Sequence, residues 1–221
     1  MITRIFLVLG SMAGTAAYGQ HAASAPSFGT TATVETFTNI AGQPFFPKRY
    51  EDVNGSPLLF DDWVVSNIVL NDGRVIKNIK TNFNLVSNEL LYVDEHGKTM
   101  VASASVVKNI EAGDRKFTPT PAKNTYCEIV SSEGKATLVK YYKKVIMETK
   151  AFNSATVQKN FVMSESYLLV VGENITEVKS AKDIYESISP SQELQDFAKR
   201  EKLKSKSVAS WVKIVDFFNS I

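Results

Sequence analysis

The chain has 221 residues, with 25 Lys and Arg against 23 Asp and Glu and a formal charge of +2. So even a balance supplies no electrostatic reason to expect nucleic acid or an anionic membrane as partner. Cys127 is the only cysteine, which excludes a disulfide within the chain, and the length suits one domain or one domain with an appendage.

Arg4 precedes a mostly apolar run at residues 5–17, and Ala17-Tyr18-Gly19 places small residues where a signal peptidase pocket requires them. Residues 1–19 therefore read as a signal peptide cleaved after Gly19, leaving Gln20 at the new N-terminus. A cut after Ala25 would set Pro26 beside the scissile bond. The apolar run is shorter than the roughly 20 residues a spanning helix needs, and no later segment is long and apolar enough, so no transmembrane segment is expected after signal removal. The location implied is exported: periplasm, outer-membrane-associated or extracellular.

Residues 20–42 are rich in Ala, Ser, Thr and Gly, carry one charge, Glu35, and read as a flexible leader with one short strand near residues 33–37. Residues 43–179 read as an ordered lead-in followed by an antiparallel β-meander. The lead-in holds Phe45, Phe46, Tyr50, Asn54-Gly55-Ser56-Pro57 and Phe60, which lay apolar side chains on the body. The body begins with a β-branched run at 63–70, turned by Asn71-Asp72-Gly73. Val75, Ile79, Phe83 and Leu85 then share an inward face, and Asn78, Lys80, Asn82 and Asn84 are expected in water. Strands follow at 89–94, 99–104 and 106–110, with a hairpin tip at His96-Gly97. Their short connections predict antiparallel neighbours.

Ala112-Gly113-Asp114 and the prolines of 118–122 read as a break. A second strand set is expected at 126–131, 135–146, 156–163, 167–171 and 175–178, giving nine or ten strands in all. At Ser180 the period becomes helical. Ser180 with Asp183 resembles a capping box, and Ile184 and Ile188 share a face. Pro190 suits the first position of a second helix, with Leu194, Phe197 and Ala198 as its stripe. Val208, Trp211, Val212, Val215 and Phe218 give a third. The fold class is thus mainly β, an antiparallel β-meander forming a curved sheet or partial barrel, with a small α-helical C-terminal tail at 180–221 packed on the β body.

The run Tyr50-Glu-Asp-Val-Asn-Gly-Ser-Pro57 with Phe60-Asp-Asp-Trp63, the later Tyr141-Tyr-Lys-Lys and Asn153-Ser-Ala-Thr156, and Lys199-Arg-Glu-Lys-Leu-Lys204 before an aromatic-rich helix together resemble a group of uncharacterised secreted proteins of Bacteroidota. The resemblance covers most of the mature chain. It implies an envelope or secreted location and agrees with the strand reading. It implies no activity and carries over no catalytic residue.

Residues capable of chemistry each have a sufficient bland explanation. His21 lies in the leader and His96 at a hairpin tip, where nothing holds an imidazole for a triad or zinc. Cys127, in an alternating strand, reads as a small buried hydrophobe. Asp61-Asp62 and Asp94-Glu95 are neighbours whose side chains point to opposite faces of a strand, and no calcium loop is present. Lys199, Arg200, Lys202, Lys204 and Lys206, diluted by Asp196 and Glu201, read as a solvated helix end. Tyr92, Tyr126, Tyr141, Tyr142 and Tyr167 fit either a stacking surface for sugar or lipid or a strand's share of the core. No nucleotide-binding, hydrolase-elbow or Cys-x-x-Cys motif occurs. No catalytic, cofactor-binding or metal residue is therefore assigned, and no cofactor is implied. The expected role is an exported, non-catalytic envelope or secreted module that binds an envelope protein or has a structural task. The alternatives are a carrier holding a lipid or other apolar ligand in the curved sheet and, third, a carboxylate-based hydrolase.

Overall fold

The β-branched run forms strand β3, Val64–Leu70, and Asn71-Asp72-Gly73 turns it into β4, Val75–Asn84. Gly73 has φ +89°, a conformation that glycine adopts without steric cost, and Asp72 Oδ1 accepts the Arg74 amide at 3.0 Å. The computed structural model describes residues 42–45, 50, 52–120, 125–150, 157–189 and 191–221. The expected signal peptide, the leader strand, His21 and Pro190 lie outside the described residues.

Two-residue strands β1, Gln43–Pro44, and β2, Val53–Asn54, precede β3. After β4 come β5 (Glu89–Val93), β6 (Thr99–Ala102), β7 (Val107–Ala112), β8 (Arg115–Thr120), β9 (Thr125–Ile129), β10 (Thr137–Lys150), β11 (Val157–Val171) and β12 (Asn174–Val178). Helices α1 (Ala181–Ser187), α2 (Ser191–Arg200) and α3 (Val208–Ser220) end the chain. The strands make one sheet in the order β1-β6-β5-β4-β3-β7-β8-β9-β10-β11-β12, with β2 beside β11. Pairing is antiparallel except between β2 and β11, and the sheet does not close into a barrel. The protein is mainly β with a helical C-terminal region.

The sheet is not a simple meander. β7 pairs with β3, not with β6 that precedes it. Residues 103–106 cover the step, and five virtual bonds reach at most about 18 Å. Four strand spacings in a flat sheet would need about 19 Å of it. The connection is short because the sheet curls, bringing the β6 end back beside β7. Asn71 secures the join: its amide donates to the Val106 carbonyl at 2.9 Å and its Nδ2 to the Ser105 carbonyl at 2.7 Å.

Inside the curl sit Ile68, Leu70, Ile79, Phe83, Leu90, Ile110 and Phe117, with the Phe83 and Phe117 rings 4.4 Å apart. A second core holds Leu138 and Leu169 of β10 and β11 against Ile184, Leu194, Trp211, Ile214, Val215 and Phe218 of the helices. Leu138 and Tyr142 are in phase on β10, so both cores lie on one face of that strand. Val139, out of phase, joins Cys127 and Leu168 in a small cluster on the other face. The helices are seated by specific bonds as well as by area. Asp183 accepts the amides of Lys179 and Ser180 at 2.8 and 2.7 Å, which hold its carboxyl below its usual pKa. Asn219 of α3 accepts the Ala136 amide at 3.0 Å and donates to the Ala136 carbonyl at 2.8 Å. Gly134 permits this approach, since a Cβ there would lie 2.6 Å from Asn219 Cγ.

Three further sequence expectations differ from the structure. Residues 115–120 form β8, although Pro119 suggested a break. The β7 ladder ends at Phe117, so Pro119 lies where β8 is an edge on that side and a missing N–H costs nothing. Residues 156–163 and 167–171 are one strand, β11, because β10 pairs with it without a break from Thr137 to Lys150. Asn82 and Asn84, expected in water, are buried. The lead-in lies over them: Asn82 Oδ1 accepts the Phe60 amide at 3.1 Å, and its Nδ2 donates to the Phe60 and Asp62 carbonyls at 2.9 and 3.2 Å. The amide thus replaces the strand that would otherwise satisfy this backbone. Asn82→Ala is expected to cost about 1–3 kcal/mol through the orphaned Phe60 amide, read as a lowered urea midpoint with unchanged slope.

Candidate functional site

Charged and hydroxyl side chains converge on four neighbouring strands, between the two cores and on their shared face. Arg115 of β8 donates from Nε and Nη2 to the two Glu128 carboxylate oxygens at 2.9 and 2.8 Å, and from Nη2 to the Tyr142 hydroxyl at 2.8 Å. The Tyr142 hydroxyl in turn donates to Glu128. The guanidinium lies 5.0, 5.1 and 5.3 Å from the ring centroids of Phe60, Phe117 and Tyr142. Lys140 of β10 sits 4.8 Å from the Tyr142 ring and pairs with Glu165 of β11 at 2.8 Å.

The alternation of strands explains the row. Glu128 faces Lys140 across β9 and β10, and Tyr142 faces Glu165 across β10 and β11. Burial would raise the Glu128 pKa, but hydrogen bonds from Arg115 and Tyr142, with the charges of Arg115 and Lys140, hold it below the ordinary value. Burial and the bond to Glu128 push the Tyr142 hydroxyl up to about 12. Lys140 is raised despite desolvation, through Glu165 and Tyr142. Glu128, Tyr142 and Lys140 are therefore each held in their ordinary protonation state near neutral pH, the opposite of what general acid–base work needs. The row ties four strands together at the junction of the two cores, with Tyr142 belonging to the first.

The residues singled out from sequence are scattered. His96 is exposed at the tip after β5, with its amide on Asp94 Oδ1 at 2.9 Å and Nε2 3.6 Å from Glu95. Asp94 Oδ1 also accepts the Lys98 amide at 2.7 Å, so this carboxylate shapes the turn. Asp61 and Asp62 are exposed. Lys199, Arg200, Lys202, Lys204 and Lys206 are exposed, with Asp196 and Glu201 beside Lys199 and Arg200. Tyr92, Tyr126 and Tyr142 are buried in the first core, and Tyr141 and Tyr167 pack against the other clusters, so they offer no stacking platform. Among the described residues no group of three or more His, Cys, Asp or Glu side chains gathers as a metal would require.

Cys127 is 0 % exposed and forms no disulfide. A thiol reagent should modify it in the native protein roughly a thousandfold more slowly than in urea, since reaction must wait for opening. Labelling at the unfolded rate would place the thiol at the surface.

The concave side of the sheet is filled by the first core. A cleft of about 460 Å³ lies at its rim, lined by Gln43, Phe45, Tyr50, Ser87, Glu89 and Ser103 among others, and is open to solvent. What stands out is an exposed ribbon. Beyond Tyr142, β10 and β11 continue as a hairpin arm whose Val145, Ile146, Met147, Val157, Val162 and Met163 are 39–48 % exposed. Val145 faces Val162, and Ile146 faces Phe161 on the opposite side, so both faces of the arm carry apolar side chains. The sequence signal was Val145-Ile146-Met147 between Lys144 and Glu148: three successive apolar residues in a strand must place some on each face. The seam left a fainter trace, the alternation of Lys140 with Tyr142 and of Glu165 with Tyr167. The sequence matches no protein-family model, no curated protein and no solved structure.

Proposed function

We propose that the protein is an exported, non-catalytic module of the envelope or the secreted fraction, and that it binds a protein partner through the β10–β11 arm. The observation that carries this reading is the arm itself. A ribbon of two strands, flanked among the described residues only by the two-residue β2, is marginal in water, and apolar side chains exposed on both of its faces mark a surface meant to be covered. Export rests on the residues 1–19 and on the resemblance to secreted Bacteroidota proteins. Catalysis finds no support in the seam, whose groups are all mutually satisfied. A carrier role would need a chamber, and the concave side is occupied by Phe83, Phe117, Ile110 and their neighbours.

The test combines two measurements on protein recovered from its native envelope. Mass spectrometry should place the N-terminus at Gln20. Gentle extraction of the wild type should yield a higher-mass complex, and a variant with Val145→Ser, Met147→Ser and Val162→Ser should lose it while melting like the wild type. Intact Met1 in the cytoplasm would overturn export, and an unchanged higher-mass species would overturn the arm as contact surface.

A further inference from the structure

We infer that the arm takes its partner by strand addition: an extended, acidic polypeptide segment pairs with the open edge of β10 at Ile146, Glu148 and Lys150. This rests on the reading of the arm as the contact surface. The two edges of the arm differ. The outer edge of β11 is covered by β12 along 167–171 and by β2 at Lys159 and Asn160, with Tyr50 packed edge-on to Phe161 at 5.2 Å. The outer edge of β10 is covered by β9 only along 139–141, and the Lys144 amide then meets the Leu85 carbonyl at 3.1 Å. Beyond Lys144 no ladder covers it among the described residues.

The direction of the backbone groups follows from alternation. The Leu138 carbonyl accepts the Val130 amide on the β9 side, and the Lys144 amide is directed to that side too. Even-numbered residues of β10 therefore present N–H and C=O to this edge, and Ile146, Glu148 and Lys150 continue the series. Only another extended backbone matches such a row, and side chains on both faces would gain apolar contact from Val145, Met147 and Ile146.

Charge selects the kind of strand. Lys144 donates to the Ser56 carbonyl at 2.9 Å, and Glu148 pairs with Lys159 at 3.6 Å. Lys143 and Lys150 bracket the edge with no acidic partner among the described residues. Two lysines there oppose pairing with a second copy, which would bring the same charges together, and favour a segment with acidic residues at its ends.

The probe is the peptide acetyl-Glu-Val-Thr-Val-Thr-Val-Asp-amide, added to the full mature chain, with amide hydrogen exchange followed by NMR. It should slow exchange at Ile146, Glu148 and Lys150 by about tenfold or more. Exchanging its acidic residues for lysine should weaken binding by about tenfold. N-methylation of the valine amides and of the threonine amides should act differently, since only one set faces β10: one pattern abolishes binding and the other does not. Glu148→Pro removes an edge N–H but no β10–β11 bond, so it should melt normally and lose the peptide. Should it fail to fold, Lys150→Pro serves at the strand end. Protection elsewhere, equal effects of the two methylation patterns, or binding retained by the proline variant would overturn strand addition. So would a dimer, formed without peptide, that protects the same amides. If the serine variant loses its envelope complex while Glu148→Pro keeps it, the arm remains the contact surface and strand addition is wrong. If the serine variant keeps its complex, the reading of the arm itself fails.

Discussion

Trp211→Ala is expected to destabilise the protein by about 3–5 kcal/mol, the range for deleting a large buried aromatic side chain. Trp211 is 5 % exposed at the centre of the second core. Its ring meets Tyr167 of β11 edge-on at 5.6 Å, and its Nε1 donates to the Ser205 carbonyl at 2.7 Å. The substitution therefore removes one of the contacts that join α3 to the sheet and one of the two donors to the Ser205 carbonyl, which keeps the Ala181 amide at 2.8 Å. Neighbouring Ile214, Val215 and Leu194 are fully buried and held by their own partners, so little collapse into the cavity is available. For a domain of this size the melting temperature should fall by roughly 2–4 °C per kcal/mol. Trp211→Phe keeps the ring contact and loses the hydrogen bond, and should cost less than half as much. An unchanged midpoint for Trp211→Ala would show that the helices contribute nothing to the stability of the sheet.

Glu128→Ala should cost about 2–4 kcal/mol, somewhat less than the loss of one partner from a fully buried pair, because water still reaches the edge of the seam. The Glu128 and Arg115 side chains are 16 % and 26 % exposed. Without the carboxylate, Arg115 keeps only the Tyr142 hydroxyl while remaining among three aromatic rings. The double replacement Arg115→Met with Glu128→Leu should be far milder than either loss alone, since it leaves no orphaned charge. The pH dependence has a defined sign. The Glu128 pKa is lower in the folded chain than its ordinary value, so its contribution is complete above the unfolded value of about 4.3 and is lost as pH falls through the folded value. Urea midpoints of Glu128→Gln should therefore fall less steeply than wild type from about pH 5 to pH 3. Parallel curves would show that the carboxylate is not stabilised by its neighbours.

Much of the fold is legible along the chain because strand and helix periodicities are local. The hairpin at Asn71-Asp72-Gly73, the tip at His96-Gly97, the cap at Ser180 and Asp183 and the stripe of α3 are read from residues within one or two turns of each other. The errors share one cause, which is that a neighbour distant in sequence changes what a residue requires. Pro119 is harmless only because the β7 ladder stops at Phe117. Ser164-Glu165-Ser166 stays extended only because β10 runs unbroken beside it. Asn82 is buried only because residues 60–62 lie across it and need its amide.

The same boundary divides the functional reading. The sequence by itself determined that this is a mainly β chain with a helical end, since side-chain periodicity reports which face of each element is apolar. The same alternation predicted Cys127 as a small buried side chain, and it is buried. Only the tertiary structure decided which strands are neighbours, because a short loop such as residues 103–106 joins non-adjacent strands once the sheet curls. It alone brought Arg115, Glu128, Tyr142, Lys140 and Glu165 into one row, because cross-strand register is a property of pairing. And it alone left the edge of β10 beyond Lys144 without a neighbouring strand among the described residues, because whether a strand has a neighbour depends on where the rest of the chain has gone.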